Sequence, residues 1–453
     1  MALRWSAGIL LTLFALGAAF LAFARQPPIQ EPAMEWELVE ADLLLNVLSW
    51  APPDSLPVDP VAQALETYRR HAARRPQERR AWSRLSVLLG ETGDVEGLRA
   101  ALRHLDPDTA GWIKALYLDP RGLEALGAEE AASRIRADLP PGWFRQKALL
   151  RLYRATGDRE AARAVLEAAR QRGRRTAWLL GLVGLTGSGL LVTGILLAVL
   201  YPWFFRRAAP APAPSPPPWS GGTAYLVFVG WFNLAVLSSL FVGFLARVLG
   251  LPAPGPWLSS LNYLLHAAGG LCLVQVLALR PAGTGFRAAL GIHLDALEGR
   301  WGKALLWGAG GYAVAVPLVV LAFLLTYWIT GSPGASTNPM MKEIARAQGP
   351  GELLPLLFLA VFLAPAFEEA LFRGFLYPTL RQRLGPGRAM AASAGIFGVI
   401  HFDFHVLLPL TALGLLLAFL YERTGSLIPS MLLHGLWNGG SLALVLLLRW
   451  AGN

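Results

Sequence analysis

The sequence is 453 residues long; 54% of its residues are apolar and only 15% are charged, well below the quarter that is usual in soluble domains. Its single cysteine, Cys272, excludes an intrachain disulfide framework and a cluster of thiolate metal ligands. The net charge of +10 comes mainly from basic residues that flank apolar segments, with no basic stripe interleaved with aromatic residues. We therefore expect no nucleic-acid partner.

The first predicted element is an apolar run at residues 5–23, which follows Arg4. Crossing the hydrocarbon core of a bilayer takes about 20 helical residues, so this run is long enough to span it. Residues 1–24 are predicted to be either an uncleaved membrane anchor or a signal peptide, because Ala22-Phe23-Ala24 resembles a small-residue cleavage site. The anchor is the preferred interpretation, and in both cases the next segment is expected to be exported.

Residues 25–176 form a region of mixed charge, with 22 acidic and 24 basic side chains. Short amphipathic helical patterns recur there without strand-like alternation, which predicts an extramembrane helical domain. Two stretches resemble each other, because each has two helical patterns joined by a Gly-Asp turn, at Gly93-Asp94 and at Gly157-Asp158. This arrangement resembles a degenerate tetratricopeptide-type (TPR-like) hairpin, which would bind a protein or peptide partner. A plain helical bundle is the alternative.

Apolar runs dominate the sequence from residue 177 onward, where only eight of 277 residues are acidic. A transmembrane helix is predicted at 177–205, followed by a linker at 206–222 that is rich in proline and alanine. Residues 223–453 are predicted to be a membrane-embedded bundle. Its apolar runs lie at 224–249, 257–279, 304–330, 353–372, 389–401, 406–421 and 427–448. With 5–23 included, the fold class predicted is all-α, a polytopic membrane helix bundle of about eight or nine spans.

Basic residues cluster on alternate connections between these runs. They are Arg4, Arg206, Arg207, Arg280, Arg287, Arg300, Lys303, Arg373, Arg381, Arg383, Arg388 and Arg423. The positive-inside rule places these connections in the cytoplasm. The chain is therefore expected to be a multi-pass cell-membrane protein with residues 25–176 outside the cytoplasm.

Two adjacent carboxylates, Glu368 and Glu369, stand inside one of the apolar runs. An ionised carboxylate near the bilayer centre costs roughly 2.5–3.5 kcal/mol on insertion scales, so such residues usually face a bundle interior or a wet cavity. Arg373 follows Glu369 by four residues, the spacing that places two side chains on one helix face. These two charges are predicted to neutralise each other. Glu368 points about 100° away around the helix and is left as the carboxylate free to act.

Two more polar motifs follow in later apolar runs. One is Phe397 with His401, and the other is His434 with Asn438, each pair again four residues apart. Taken alone, each motif is weak, because an isolated intramembrane histidine is usually satisfied by a neighbouring backbone carbonyl.

Together, the three motifs resemble the signature of the CAAX prenyl endopeptidase and bacteriocin-processing family, also called CPBP or Abi proteins. That signature is E-E-x-x-x-R, F-x-x-x-H and H-x-x-x-N, in this order and within apolar segments, and the motif core here covers residues 351–448. The resemblance implies an endopeptidase that works within or at the membrane.

The resemblance also implies roles for individual side chains. Glu368 and His401 would activate a water molecule for attack on a peptide carbonyl, and His434 and Asn438 would stabilise the oxyanion. The residues that would support this machinery structurally are Glu369, Arg373 and Phe397.

No cofactor is favoured by the sequence, but zinc is an alternative. In the older interpretation of the family as zinc proteases, Glu368, His401 and His434 would supply three ligands and leave one position open. Against this, the motif H-E-x-x-H is absent, and asparagine is a poor zinc ligand.

Two other functions fit parts of the sequence. One is a non-catalytic membrane scaffold or immunity protein that binds partners through the helical domain, and the other is a transporter with charges along its pathway. The three intact motifs favour the peptidase, because a scaffold has no physical need for a free Glu368 beside a neutralised pair. The expected partners are the lipid bilayer, a protein or peptide substrate and, under the repeat interpretation, a protein at the helical domain.

Overall fold

The computed structural model describes residues 31–50, 59–205, 216–251, 255–294, 297–331, 343–344, 347 and 349–452, and most of these residues are helical. No strand forms among these residues, so the predicted all-α class is confirmed. The chain divides into two compact units. One contains Gln30–Leu185 with Leu444–Asn453, and the other contains Thr186–Ala443.

The first unit is built from short helices around one apolar core. These are α1 (Glu31–Leu48), α2 (Pro60–Arg74), α3 (Arg79–Thr92), α4 (Val95–Leu102), α5 (Pro107–Tyr117), α6 (Pro120–Leu126), α7 (Ala128–Asp138), α8 (Trp143–Ala155) and the start of α9 (Arg159–Phe205). Fully buried side chains such as Tyr68, Leu88 and Trp112 form the core. The short helices that the amphipathic patterns predicted are therefore present.

Local sequence signals explain where these helices begin and end. Gly93 adopts a left-handed conformation, with φ of 77°, and ends α3. Asp94 then caps α4 by accepting a hydrogen bond from the backbone N–H of Gly97. The predicted Gly-Asp turn between two helices therefore forms, while the tetratricopeptide-like classification stays a prediction.

Helix α9 is continuous from Arg159 to Phe205. The predicted boundary at residue 176 therefore does not coincide with a helix end. The physical reason is that residues 159–201 contain no proline, so the backbone hydrogen-bond ladder continues although the side chains change from charged to apolar.

The second unit contains the helices of the predicted bundle. These are α10 (Gly221–Val248), α11 (Pro256–Leu279), α12 (Phe286–Ala289), α13 (Trp301–Thr330), α14 (Pro350–Leu384), α15 (Pro386–Val399), α16 (Phe404–Thr424) and α17 (Ile428–Gly452). Among the described residues, seven helices are long and apolar enough to cross a membrane, namely α9, α10, α11, α13, α14, α16 and α17.

The seven spans among the described residues are fewer than the nine apolar runs of the sequence for two reasons. The run at 5–23 lies outside the described residues. The run at 389–401 belongs to α15, which has only 14 residues and is therefore about 21 Å long, too short to cross about 30 Å of hydrocarbon.

Helix α14 carries the first motif and is not a regular α-helix. Two π-helical segments, Leu359–Leu363 and Ala370–Leu376, interrupt it on either side of Glu368 and Glu369. Such segments leave backbone groups without their usual helical partners and are frequent at functional sites. Residues 206–215 of the predicted linker lie outside the described residues, whereas Trp219 near its end is buried and donates to the hydroxyl of Thr379 on α14 at 2.8 Å.

Candidate active site

The buried ion pair of the first motif links two helices. Arg373 Nη1 donates to Glu369 Oε1 at 2.8 Å, and both side chains are fully buried. Arg373 Nη2 also donates to the carbonyl oxygen of Gly414 on α16, at 3.1 Å. A buried charge is costly unless it is paired and hydrogen-bonded, so these contacts explain how two ions are accommodated here. The predicted contact between Glu369 and Arg373 is therefore present.

Phe397 packs at the centre of the three motifs, as the resemblance implied. Its ring is fully buried and lies 4.5 Å from the guanidinium carbon of Arg373. Its centroid is 5.0 Å from that of His401 and 5.9 Å from that of His434. One aromatic ring thus contacts a residue from each motif.

His434 lies between the two glutamates. Its Nδ1 is 2.9 Å from Glu369 Oε1, and its Nε2 is 3.8 Å from Glu368 Oε2. Because a carboxylate can only accept, Nδ1–H is the donor to Glu369. This contact joins α17 to α14, and the sequence analysis did not anticipate it, since it paired Glu369 only with Arg373.

Asn438 directs its amide to the backbone of α14. Its Nδ2 donates to the carbonyl oxygen of Ala360 at 2.8 Å, inside the first π-helical segment. A carbonyl in such a segment lacks its regular partner, which explains why it attracts the amide. The oxyanion role that the resemblance assigned to His434 and Asn438 stays a prediction.

A cavity of about 220 Å³ lies beside Glu368 in the apolar bundle. Glu368 and His401 both line it, so the structure brings together the two residues that were predicted to activate water. The remaining wall is mostly aromatic and apolar. It consists of Trp231, Phe232, Ala235, Tyr263, His266, Phe367, Ile400 and Phe402. Among the described residues, the wall includes neither His434 nor Asn438.

The ring of His401 contacts the backbone of the helix before it. Its Nδ1 lies 2.7 Å from the carbonyl oxygen of Phe397, one helical turn earlier. A carbonyl can only accept, so Nδ1 carries the proton and Nε2 is left as the basic nitrogen.

The turn after His401 is conformationally unusual. Phe402 has a φ of 51°, a left-handed conformation that bulky residues rarely adopt. The next residue, Asp403, caps α16 by accepting from the backbone N–H of His405 at 2.9 Å. Strained residues of this kind concentrate at functional sites, and here the strained residue directly follows a member of the predicted site and lines the same cavity.

Helix α11 contributes two cavity residues that the sequence analysis missed. The hydroxyl of Tyr263 donates to Glu368 Oε1 at 3.0 Å, and His266 follows three residues later with Nδ1 3.0 Å from the carbonyl oxygen of Asn262. A histidine and a tyrosine on one face of an apolar run were the available signal.

The described residues offer no ready-made metal centre. Among them, no group of three or more His, Cys, Asp or Glu side chains is arranged to hold a metal ion. In the proposed zinc set, Nδ1 of His434 is committed to Glu369, and Glu368 and His401 line the cavity without it. Nε2 of His434 is not engaged by Glu369 and lies 3.8 Å from Glu368 Oε2, so the zinc alternative stays a prediction.

Comparison with known proteins gives two matches that bear on this site. Residues 350–440 match the family model described as type II CAAX prenyl endopeptidase Rce1-like. The protein named "Putative membrane peptidase YdiL" of Bacillus subtilis (strain 168) is 30% identical over 125 residues, which are 27% of this chain and 49% of that protein. The match thus spans about half the length of this relative. No solved structure shows significant similarity. With its apolar helices, the chain is a multi-pass membrane protein.

Proposed function

We propose that this chain, whose residues 350–440 belong to the CPBP (Rce1-like) family that the motifs predicted, is an intramembrane endopeptidase. It would hydrolyse a peptide bond in a membrane-associated protein or peptide. One observation carries the proposal: Glu368 on α14 and His401 in the turn after α15, which belong to different motifs, line one cavity in the apolar bundle. An intramembrane carboxylate in a cavity is a functional site by default.

The proposed reaction uses a water molecule between these two side chains. Nε2 of His401 accepts a hydrogen bond from this water and orients it, while the carboxylate of Glu368 takes its proton as the oxygen attacks the carbonyl carbon. A carbon–oxygen bond forms, and a tetrahedral oxyanion results. When the carbon–nitrogen bond breaks, the proton passes from Glu368 to the departing nitrogen.

Oxyanion stabilisation remains assigned to Asn438 and His434 within this proposal. The amide nitrogen of Asn438 has a second N–H besides the one donated to Ala360. His434 would have to present a protonated Nε2 to the oxyanion. Removing one such donor from an enzyme costs about 3–4 kcal/mol of transition-state stabilisation elsewhere.

The cavity also limits what can bind. Its volume of about 220 Å³ is below the range of roughly 300–1,000 Å³ that is usual for drug-sized ligands. Its walls are rich in aromatic rings, from Trp231, Phe232 and Phe402 among others. We therefore propose that it takes one apolar group beside the scissile bond of an extended substrate, not a whole small molecule.

The experiment that tests the proposal uses the full-length protein in phospholipid vesicles. The probe is a mixture of internally quenched fluorescent peptides, each carrying a membrane-anchoring acyl chain. We expect cleavage by the wild type and none by Glu368→Gln, which keeps the shape of the side chain and removes the base. Glu352→Gln, in the first turn of the same helix, is the matched control and should cleave at the wild-type rate. Equal cleavage by wild type and Glu368→Gln would overturn the proposal.

The position and role of the helical region at 25–176 are also proposed. We place it outside the cytoplasm and infer that it binds a protein partner or presents substrate. The experiment uses a variant in which Cys272 is replaced by serine and the exposed Asp108 by cysteine. The new cysteine should react with a membrane-impermeant maleimide in intact cells. Labelling only after cell lysis would place the region in the cytoplasm instead.

A further inference from the structure

Tyr263 is the only residue of α11 for which a hydrogen bond to a residue of the first motif is found among the described residues. Its hydroxyl reaches Oε1 of Glu368 at 3.0 Å, across 105 positions of sequence. Its ring is held on two sides, at 4.8 Å from the His266 centroid and 6.2 Å from the Phe367 centroid. The phenol is therefore a fixed donor, because neighbouring rings restrict its rotation.

The contact gives the two carboxylate oxygens of Glu368 different environments. Oε1 accepts from Tyr263, while Oε2 lies 3.8 Å from Nε2 of His434, too far for a hydrogen bond. The Glu368 side chain retains 17% exposure, as expected for a group at a cavity wall. Oε2 is thus the oxygen that remains able to accept a proton from water.

From this geometry we propose that Tyr263 is a positioning residue for catalysis, which fixes the Glu368 carboxylate with Oε2 directed to the attacking water. This inference rests on the proposed peptidase function. Without the phenol, the carboxylate can rotate about its terminal bond, whose torsional profile is broad. Both oxygens would then sample orientations that are unproductive for proton transfer.

The chain offers a matched control for the chemistry of this contact. Tyr377 donates its hydroxyl to Oε2 of Glu422 at 2.7 Å, so it too is a tyrosine bonded to a carboxylate between two helices of the bundle. Glu422 is also bonded by Arg381, and it is not among the residues that line the cavity. Replacing either tyrosine with phenylalanine removes one hydroxyl and retains the ring.

The test compares Tyr263→Phe with Tyr377→Phe in vesicles, using the quenched peptide that the wild type cleaves fastest. Misplacing a catalytic group by about 1 Å can cost about 100-fold in rate, so we expect kcat of Tyr263→Phe to fall roughly 10- to 100-fold with KM nearly unchanged. Tyr377→Phe should retain the wild-type kcat. An unchanged kcat in Tyr263→Phe, an equal loss in both variants, or a change confined to KM would overturn the positioning role.

A double-mutant cycle separates positioning from a general structural effect. In Glu368→Asp, the carboxylate is one methylene shorter and is withdrawn from the phenol. If Tyr263 acts through Glu368, then adding Tyr263→Phe to Glu368→Asp should lower kcat little further. A structural role predicts the full additional loss, which would contradict the proposal.

A labelling experiment distinguishes loss of positioning from misfolding if Tyr263→Phe is inactive. Dicyclohexylcarbodiimide, an apolar reagent for carboxyl groups, is applied to the purified protein and adducts are located by mass spectrometry. We expect Glu368 to be modified faster in Tyr263→Phe than in wild type, with the melting temperature within a few degrees of the wild-type value. Unchanged labelling of Glu368 in a folded variant would overturn the inference.

The two hypotheses fail in different ways. If no peptide is cleaved by the wild type, or if Glu368→Gln cleaves as fast as wild type, then the peptidase proposal fails, and the inference fails with it. If Glu368→Gln is inactive and Tyr263→Phe is as fast as wild type, then only the role of Tyr263 is wrong.

Discussion

His434 and Glu369 form a hydrogen bond of 2.9 Å that joins the third motif to the first. The same carboxylate oxygen, Oε1, accepts from Arg373 at 2.8 Å. Glu369 is therefore shared by a guanidinium on its own helix and an imidazole on α17. Glu368 instead lines the cavity, so the two adjacent glutamates have different environments.

The buried ion pair is expected to dominate the stability of the bundle around the site. Arg373→Met leaves Glu369 buried without its guanidinium, and breaking a buried pair in this way typically costs about 3–5 kcal/mol. The double variant Glu369→Gln/Arg373→Met removes both charges and should lose less than the sum of the two single variants. Thermal unfolding of the purified protein in detergent measures the differences.

A surface pair provides the control for this prediction. Lys303, in the first turn of α13, bonds Glu298, whose carboxylate is exposed. Glu298→Gln should leave the melting temperature unchanged, since exposed pairs contribute little. An effect of Glu298→Gln as large as that of Arg373→Met would contradict the account of the buried pair.

Removing the Asn438 amide is expected to destabilise the protein less than replacing it with a carboxylate. Asn438→Ala loses one hydrogen bond to Ala360, worth about 1 kcal/mol. Asn438→Asp places an acceptor against the acceptor carbonyl, so it should lower the melting temperature further and slow cleavage more. If the aspartate variant were as stable as the wild type, the contact with Ala360 would not be a structural one.

Chelation tests the zinc alternative. Because the candidate donors are not arranged around a common point, we expect full activity after dialysis against a strong chelator, and metal content far below one ion per chain. A zinc protease treated in parallel shows that the dialysis works. Loss of activity that added zinc restores would establish a metal enzyme.

Asp106 provides a pH-dependent prediction in the extramembrane unit. The backbone N–H of Thr109 donates to its carboxylate at 3.0 Å and holds the pKa of Asp106 below its usual value. A lowered pKa in the folded state stabilises α5 above the ordinary pKa of an aspartate, about 3.9, and this contribution is lost as the pH falls through the folded-state value.

We therefore expect Asp106→Ala to speed amide exchange in α5 at pH 7 and to have little effect near pH 2, after correction for intrinsic rates. Asp108→Ala, in the same helix but with an exposed side chain, is the control. Equal effects of Asp106→Ala at both pH values would show that the cap is not ionic.

Some of this architecture could be predicted because it depends on local spacing. The pair Glu369–Arg373 follows from a separation of four residues on one helix, and the turn at Gly93-Asp94 follows from the two residue types. The resemblance predicted that Glu368 and His401 would lie together, because a motif signature encodes contacts between distant helices.

Other features depend on tertiary contacts or on backbone irregularity, which local pattern does not encode. Tyr263 contacts Glu368 only because α11 packs against α14. A tyrosine in an apolar run does not by itself indicate such a contact. The amide of Asn438 donates to Ala360, whose carbonyl lies in a π-helical segment. The apolar pattern of α14 did not predict that segment. Helix α9 continues across residue 176, because a change in side-chain composition does not interrupt backbone hydrogen bonding.

The most direct test of the central claim is a comparison of membrane-fraction peptidomes from cells that express the wild type and Glu368→Gln at equal levels. The account predicts cleavage products that are present only with the wild type, and their termini would identify the substrate and the scissile bond. Identical peptidomes from two equally folded proteins would contradict it, and would favour a scaffold that acts through its helical region.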